Sequence, residues 1–287
     1  MTPDTDLRGR TFLVTGANSG LGRATAQALT ARGGSVVLAA RSEERTRPVL
    51  EALRTQYPNA ELDFLRVDLG SLASVRRAAE QFLSTGKPLD VLINNAGLAG
   101  AVGLTTDGFE ITIGTNYVGP FYLTQLLLPR LRQAPQGRVV NVASVAHTSV
   151  KRFDWTWLDR GREPSRSGFA QYAESKLLNI LNARELAQRL DGTRVTTYAL
   201  HPGAVASNIW RALPWPVRTL MKLFMLSNEN GAKTQVWCAT APELASQTGR
   251  YYVKCREARP TALARDDVLA AELYTRTEAA IAAAITG

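Results

Sequence analysis

Tyr172 and Lys176 stand four positions apart, a spacing that brings two side chains to the same face of a helix. A phenol is a poor base at neutral pH, with an unperturbed pKa of about 10. Lowering it by three units takes roughly 4 kcal/mol of preference for the phenolate. An ammonium one turn away supplies part of that, because opposite charge favours ionisation. A phenol so tuned can give a proton to, or take one from, an oxygen whose carbon is changing oxidation level. Ser144, at the end of the β-rich run Arg138–Val142, offers a hydroxyl to hold that oxygen. Asn116 offers an amide that binds a water or a backbone group and links Lys176 to solvent. Taken alone, a Tyr-x-x-x-Lys pair also describes a packed ring beside a surface ammonium, so its meaning depends on what accompanies it.

The companion is the turn Thr15-Gly16-Ala17-Asn18-Ser19-Gly20-Leu21-Gly22. It follows an apolar run and opens an amphipathic stretch. Small residues there let the backbone turn tightly beside a phosphate, and a helix N-terminus presents free N–H groups to it. A phosphate cradle and a proton-transfer pair in one chain indicate a dinucleotide-dependent hydride-transfer enzyme. The second apolar run, Ser35–Ala40, ends without an acid, and Arg41 and Ser42 follow. An acid would bind the adenosine ribose hydroxyls, whereas a guanidinium accommodates a 2′-phosphate. Arg41 therefore favours NADP(H) over NAD(H), the other reading being a plain surface arginine. Asp68-Leu69 can accept from the adenine amino group, and Asn94-Asn95-Ala96-Gly97 lets the chain pass close to the ribose.

The elements that must position these residues alternate. Strands are predicted at Thr11–Thr15, Ser35–Ala40, Asp63–Val67, Val91–Ile93, Arg138–Val142, Arg194–Leu200 and Gly249–Val253. Helices are predicted at Gly22–Arg32, after Ser42 with Pro48 disturbing its first turns, at Ser71–Leu83, at Asn116–Arg132 with Pro120 a distortion, and at Gly168–Arg189. This order predicts one domain over residues 1–287, a Rossmann-type α/β fold with a doubly wound parallel sheet of about seven strands and helices on both faces. Ligands of such sheets bind beyond the carboxyl ends of the strands, and every residue singled out above falls at such an end or on the helix after it.

With these residues in order, the chain resembles the short-chain dehydrogenase/reductases over almost all of its length. The resemblance rests on Thr15-Gly16-x-x-x-Gly20-x-Gly22, Asp68-Leu69, Asn94-Asn95-Ala96-Gly97, Asn116, Ser144, Tyr172-x-x-x-Lys176 and Pro202-Gly203. It implies that Asn116, Ser144, Tyr172 and Lys176 form a catalytic tetrad, with Lys176 also hydrogen-bonding the nicotinamide ribose. It implies cofactor contacts from Gly16, Asn18, Ser19, Gly20, Leu21, Gly22, Arg41, Asp68, Leu69, Asn95, Ala96, Gly97 and Tyr172. Further along, Pro202, Gly203 and Val205 would pass the nicotinamide, and Ser207, where the family commonly has threonine, would contact carboxamide or pyrophosphate. Ser144–His147, Val195–Gly203 and Gly249–Tyr252 look most like the retinol dehydrogenase branch, which typically prefers NADP(H). Two departures keep the substrate open: the N-terminal residues show no membrane anchor, and Pro120 replaces the usual polar residue after Gly119. The family also implies a homodimer or homotetramer in which the helices bearing Asn116 and Tyr172 pack between subunits.

Bulk properties narrow the partners. The 287 residues are 45% hydrophobic and 21% charged, ordinary for a soluble globular protein. A chain of this size buries about three quarters of its unfolded surface. No run of eighteen apolar residues appears, so no transmembrane helix is expected. The first residues are polar and acidic, which argues against secretion, and the two cysteines form no framework, so the cytoplasm is the expected compartment. The net charge of +9 is spread over scattered arginines, which excludes a basic nucleic-acid stripe. His147 and His201 lack metal-ligand spacing. Ile209–Leu226 is rich in Trp, Leu, Met and Phe, and the segment 204–230 is read as a lid over a bulky apolar carbonyl or alcohol. Trp155 and Trp157 are expected on the opposite rim. A core helix, a subunit contact and a membrane-surface patch are the other readings of that segment. A non-catalytic dinucleotide sensor on the same fold is the rival function, and it would not need the whole tetrad.

Overall fold

The computed structural model of the chain describes residues 6–161, 168–203 and 227–286. Eight strands form one sheet in the order β3-β2-β1-β4-β5-β6-β7-β8. They are β1 (Thr11–Thr15), β2 (Ser35–Ala40), β3 (Leu62–Arg66), β4 (Val91–Asn94), β5 (Gly137–Val142), β6 (Val195–His201), β7 (Arg250–Val253) and β8 (Arg256–Glu257). All neighbours pair parallel except β8, which returns antiparallel on β7. The order reverses between β1 and β4, and a crevice opens there because the crossovers on the two sides run in opposite directions.

Helices cover both faces. They are α1 (Gly20–Thr30), α2 (Glu43–Gln56), α3 (Leu72–Ser84), α4 (Gly119–Leu131), α5 (Phe169–Arg189), α6 (Asn228–Thr240) and α7 (Asp267–Thr286). Because side chains alternate along a strand, each central strand feeds two cores. Phe12, Val14, Val36, Leu38, Ile93 and Tyr198 pack against Leu29 of α1, Leu50 and Leu53 of α2, and Val236 of α6. Leu13, Val37, Leu92, Val139 and Ala199 face the other way, onto Phe82 of α3, Leu127 of α4 and Leu178 of α5. The strands are apolar at successive positions because both faces are covered. Among the described residues, no helix is long and apolar enough to cross a membrane.

Of the two prolines flagged in the sequence, Pro48 departs from expectation and Pro120 meets it. α2 runs through Pro48 as one helix. Pro120 leaves its mark one turn earlier, where Gly114–Val118 forms a π-helical turn closed by Gly119 N–H donating to the Gly114 carbonyl. Proline has no N–H with which to continue the regular ladder, so the register widens just before it. Asn116 sits in that turn. Gly119 lets it approach the loop after β3, since a Cβ there would stand 2.1 Å from the Leu69 carbonyl oxygen.

The C-terminal part of the chain adds elements beyond the expected seven strands: the short β8, and helices α6 and α7. α7 lies across α4 and α5, the helices expected between subunits. Tyr274 packs edge-on against Phe121 at 4.7 Å, Gln125 Nε2 donates to the Tyr274 hydroxyl at 2.7 Å, and Arg184 Nη2 meets Asp267 at 2.6 Å.

Candidate active site

β1 ends at Thr15, whose hydroxyl oxygen accepts the N–H groups of Asn95 and Ala96 at 3.0 Å each. Asn95 Nδ2 returns a bond to the Thr15 carbonyl at 2.7 Å, and Gln235 Nε2 of α6 donates to Asn95 Oδ1 at 3.1 Å. The turns after β1 and β4 are thereby latched together at the point where the sheet order reverses. Gly16 continues from β1 at a φ of 67°, in the left-handed region that favours glycine. Gly22 packs against that turn so closely that a Cβ would lie 2.3 Å from the Gly16 carbonyl oxygen and 2.5 Å from Asn95 Nδ2.

The start of α1 differs from the starts of α2, α3 and α6. Those helices open on Ser42, Ser71 and Ser227, each of whose hydroxyls takes up an N–H of the first turn at 3.2–3.3 Å. α1 opens on Ser19, which makes no such bond. Its first N–H groups therefore carry unsatisfied positive dipole ends, and Gly20, Leu21 and Gly22 line a cleft of about 640 Å³. Asn18, Ser19, Arg41, Ser42, Asp68, Leu69, Asn95, Ala96, Gly97, Pro202 and Gly203 line it too. An anion fits that cradle, and the residues suit a dinucleotide phosphate. Arg41 and Arg45 stand together at one end; Asp68 is the one acidic side chain among the described lining residues, with Oδ1 accepting from Gly70 N at 3.0 Å.

The other end of the cleft is lined by Ser144, Tyr172 and Lys176. Tyr172 and Lys176 come from α5, and Ser144 from the turn after β5. The Tyr172 and Ser144 hydroxyls line this end together, and burial pushes the phenol above its ordinary range against a smaller, opposite pull from the Ser144 hydroxyl. That corrects the expected acidification by lysine. Desolvation of a nearly enclosed ring dominates, and Lys176 Nζ lies against the ring face, 5.3 Å from its centre. Lys176 is itself 2% exposed, donates to the Val142 carbonyl at 2.8 Å, and is lowered to about 8 by burial.

Asn116 reaches the same corner through its neighbours. Its Oδ1 accepts from Leu98 N at 2.9 Å and its Nδ2 donates to the Leu98 carbonyl at 2.9 Å. Nδ2 also lies 3.1 Å from Ser175 Oγ. The backbone group expected as its partner is thus Leu98, and Asn116 pins the Asn95–Leu98 turn to α5. Asn94, buried behind that turn, bridges Thr124 and Asn141 at 3.0 Å each.

Trp155 and Trp157 are not on the rim. Trp157 is 3% exposed in the core, and Trp155 lies 4.7 Å from Phe153 and under the Arg276 guanidinium at 4.2 Å. These rings turn toward α7, which the expected element order did not include. Val205, Ser207 and the apolar segment 209–226 lie outside the described residues. The cleft adds Arg45, Leu98, Val145 and His201 to the residues expected there. Arg45 was legible as a second cation one turn after Arg41; Val145, 53% exposed beside Ser144, carried no signal beyond that adjacency.

Comparison with known proteins agrees with this geometry. Residues 10–156 match the short chain dehydrogenase family. The chain is 44% identical over 273 residues to dehydrogenase/reductase SDR family member 13 of Bos taurus, covering 93% of this chain and 72% of that protein. It is 39% identical to retinol dehydrogenase 12 of Homo sapiens, covering 93% of this chain and 85% of that one. The crystal structure of an uncharacterised protein from Mycobacterium paratuberculosis superposes with a TM-score of 0.76 at 31% identity, covering 96% and 94% of the two chains.

Proposed function

The chain belongs to the short-chain dehydrogenase family of oxidoreductases, and from that premise we propose that it moves hydride between NADP(H) and a bulky, apolar ketone or aldehyde and the corresponding alcohol. The observation that carries this reading is the meeting, in one cleft, of the uncapped start of α1 and the hydroxyls of Tyr172 and Ser144.

A bound nicotinamide dinucleotide supplies or accepts the hydride. The protein's own work is to hold its phosphates and to manage one proton. The α1 N-terminus receives the pyrophosphate, and Arg41 and Arg45 receive a 2′-phosphate, which is why NADP(H) is favoured over NAD(H). Ser144 holds the substrate oxygen. Tyr172, kept neutral by burial, gives that oxygen its proton in the reducing direction. Lys176, steadied by the Val142 carbonyl, would hold the nicotinamide ribose, while Asn116 keeps the Gly97–Leu98 backbone in place. Val205 and Ser207 would extend the cofactor contacts.

Val145 and Leu98 present apolar surface at the mouth, and the composition of Ile209–Leu226 fits a lid over an apolar substrate. The retinol dehydrogenase name of a relative is consistent with an apolar substrate. We assign a homodimer or homotetramer in the cytoplasm, with a subunit contact that includes α7, since α7 covers α4 and α5. Light scattering on the purified protein tests the assembly. The reaction is tested by NADPH and NADH oxidation against a panel of ketones, aldehydes and retinoids, with Y172F alongside. Turnover with NADPH that Y172F abolishes while still binding NADPH supports the proposal. Equal turnover in Y172F overturns the assigned acid, and NADPH binding without any turnover in the wild type favours the sensor reading.

A further inference from the structure

The motif Ser144-Val145-Ala146-His147 contributes one residue, Ser144, to the chemistry above and leaves His147 unused. His147 is 2% exposed, and each ring nitrogen has a partner that fixes its role. Nδ1 lies 2.7 Å from the Ser144 carbonyl oxygen. That oxygen can only accept, so Nδ1 carries the proton. Nε2 accepts from the Thr261 N–H at 3.4 Å, so it carries none. The ring is the neutral Nδ1–H tautomer, which burial also favours by holding its pKa below the usual histidine value.

These bonds bear on Ser144 because of the turn between them. Ser144 has an extended backbone, and its hydroxyl oxygen accepts from Ala146 N at 3.2 Å as the cap of a 3-10 turn over Val145–Ser149. Its carbonyl receives two donors: His147 N at 3.2 Å and His147 Nδ1. The turn itself packs on α5, and the imidazole adds a second anchor, on the sheet. It packs edge-on against Tyr251 of β7 at 5.3 Å and meets Thr261 in the segment after β8, which is itself tied to β7 by Ala258 N donating to the Tyr251 carbonyl at 2.8 Å.

We propose that His147 is a positioning residue for Ser144: its Nδ1–H clamps the Ser144 carbonyl to the β7–β8 end of the sheet and so holds the serine hydroxyl against Tyr172. This inference rests on the oxidoreductase reading, because Ser144 matters only if it holds a reacting oxygen. It differs from that reading in placing part of the catalytic alignment in a residue that need not touch the substrate. Misplacing a reacting group by about 1 Å can cost on the order of a hundredfold in rate, so a lost clamp is visible in kcat.

The test separates the two ring nitrogens. In H147N the amide nitrogen replaces Nδ1 and can still donate to Ser144; in H147Q the amide lies where Nε2 was; H147F keeps a ring against Tyr251 and donates to nothing. We expect kcat for carbonyl reduction to fall about ten- to a hundredfold in H147F and H147Q and to stay within threefold of wild type in H147N, with KM for NADPH unchanged in all three. In an S144A background the H147F substitution should cost less than twofold more, since a residue acting only through Ser144 has nothing left to hold. Wild-type kcat in H147Q and H147F, or equal losses in H147N and H147Q, would overturn the clamp, as would a full further loss in S144A. If H147F fails to fold, the H147N and H147Q comparison still decides. A wild-type enzyme that reduces no carbonyl would sink the oxidoreductase reading instead, and NADPH binding by fluorescence keeps the two failures distinct.

Discussion

The ammonium of Lys176 donates to the carbonyl oxygen of Val142 across 34 residues of chain, at 2.8 Å and out of contact with bulk water. A strand end and a helix interior are joined there by one charged group, and burying that charge costs stability. Its pKa falls from 10.5 to about 8. Below pH 8 the lysine is charged in both folded and unfolded chains, and the burial penalty is present in full. Between about 8 and 10.5 the folded chain has released a proton that the unfolded chain still holds, so folding stability rises with pH in that window. Chemical denaturation of wild type and K176M should show the wild type gaining about 2 kcal/mol relative to the variant between pH 7 and 9.5. A pH-independent difference would mean that the lysine is not desolvated as described.

Arg41 and Arg45 line the end of the cleft away from the hydroxyls, and neither Glu43 nor Glu44 between them is among the described lining residues. A charge-assisted hydrogen bond contributes about 1.5–3 kcal/mol, so R41A should raise KM for NADPH by about tenfold to a hundredfold while leaving KM for NADH within twofold. The expected measurement is the ratio of the two specificity constants. A variant that weakens both cofactors equally would remove Arg41 from the 2′-phosphate assignment.

Gly22 cannot carry a side chain without moving something. Its Cβ would meet the Gly16 carbonyl at 2.3 Å, which is backbone and cannot rotate away. G22A should therefore shift the Gly16 turn, lower stability by about 1–3 kcal/mol and weaken NADPH binding by at least tenfold. Titration by cofactor fluorescence and a melting curve check both; unchanged binding would show that the turn does not contact the dinucleotide.

α7 is secured by a hydroxyl pair. Tyr117 and Thr277 lie 2.8 Å apart, both buried, and Tyr117 follows Asn116 in the π-helical turn. T277V leaves the phenol without that partner, for which the expected loss is about 1–3 kcal/mol. A Tm drop with turnover at the permissive temperature reduced further than for a distant destabilising change would tie α7 to the placement of Asn116. An unchanged Tm would contradict the burial of the pair.

The cofactor turn and the proton-transfer pair were legible because each signal there is local. Glycines at Gly16, Gly20 and Gly22 after an apolar run, Arg41 after a run without an acid, and a Tyr172/Lys176 pair at helical spacing state their chemistry in a few contiguous residues. α6 was not legible: its buried positions include Gly231, Thr234, Gln235 and Thr240, so no apolar stripe betrays it. α7 is rich in alanine and was recognisable in principle, since alanine is the strongest helix former, but nothing in its composition says which helices it covers.

By itself the sequence determined the alternation of strands and helices, the turn built for phosphate and the four side chains capable of the chemistry, because these depend on residue type and short spacing. Folding in three dimensions decided the sign of the Tyr172 shift, the commitment of Asn116 to Leu98, the retreat of Trp155 and Trp157 from the cleft, and the anchoring of the Ser144 turn through His147. Those properties depend on which distant groups exclude water from a side chain or complete its hydrogen bonds. No local pattern carries that information until the strands have paired.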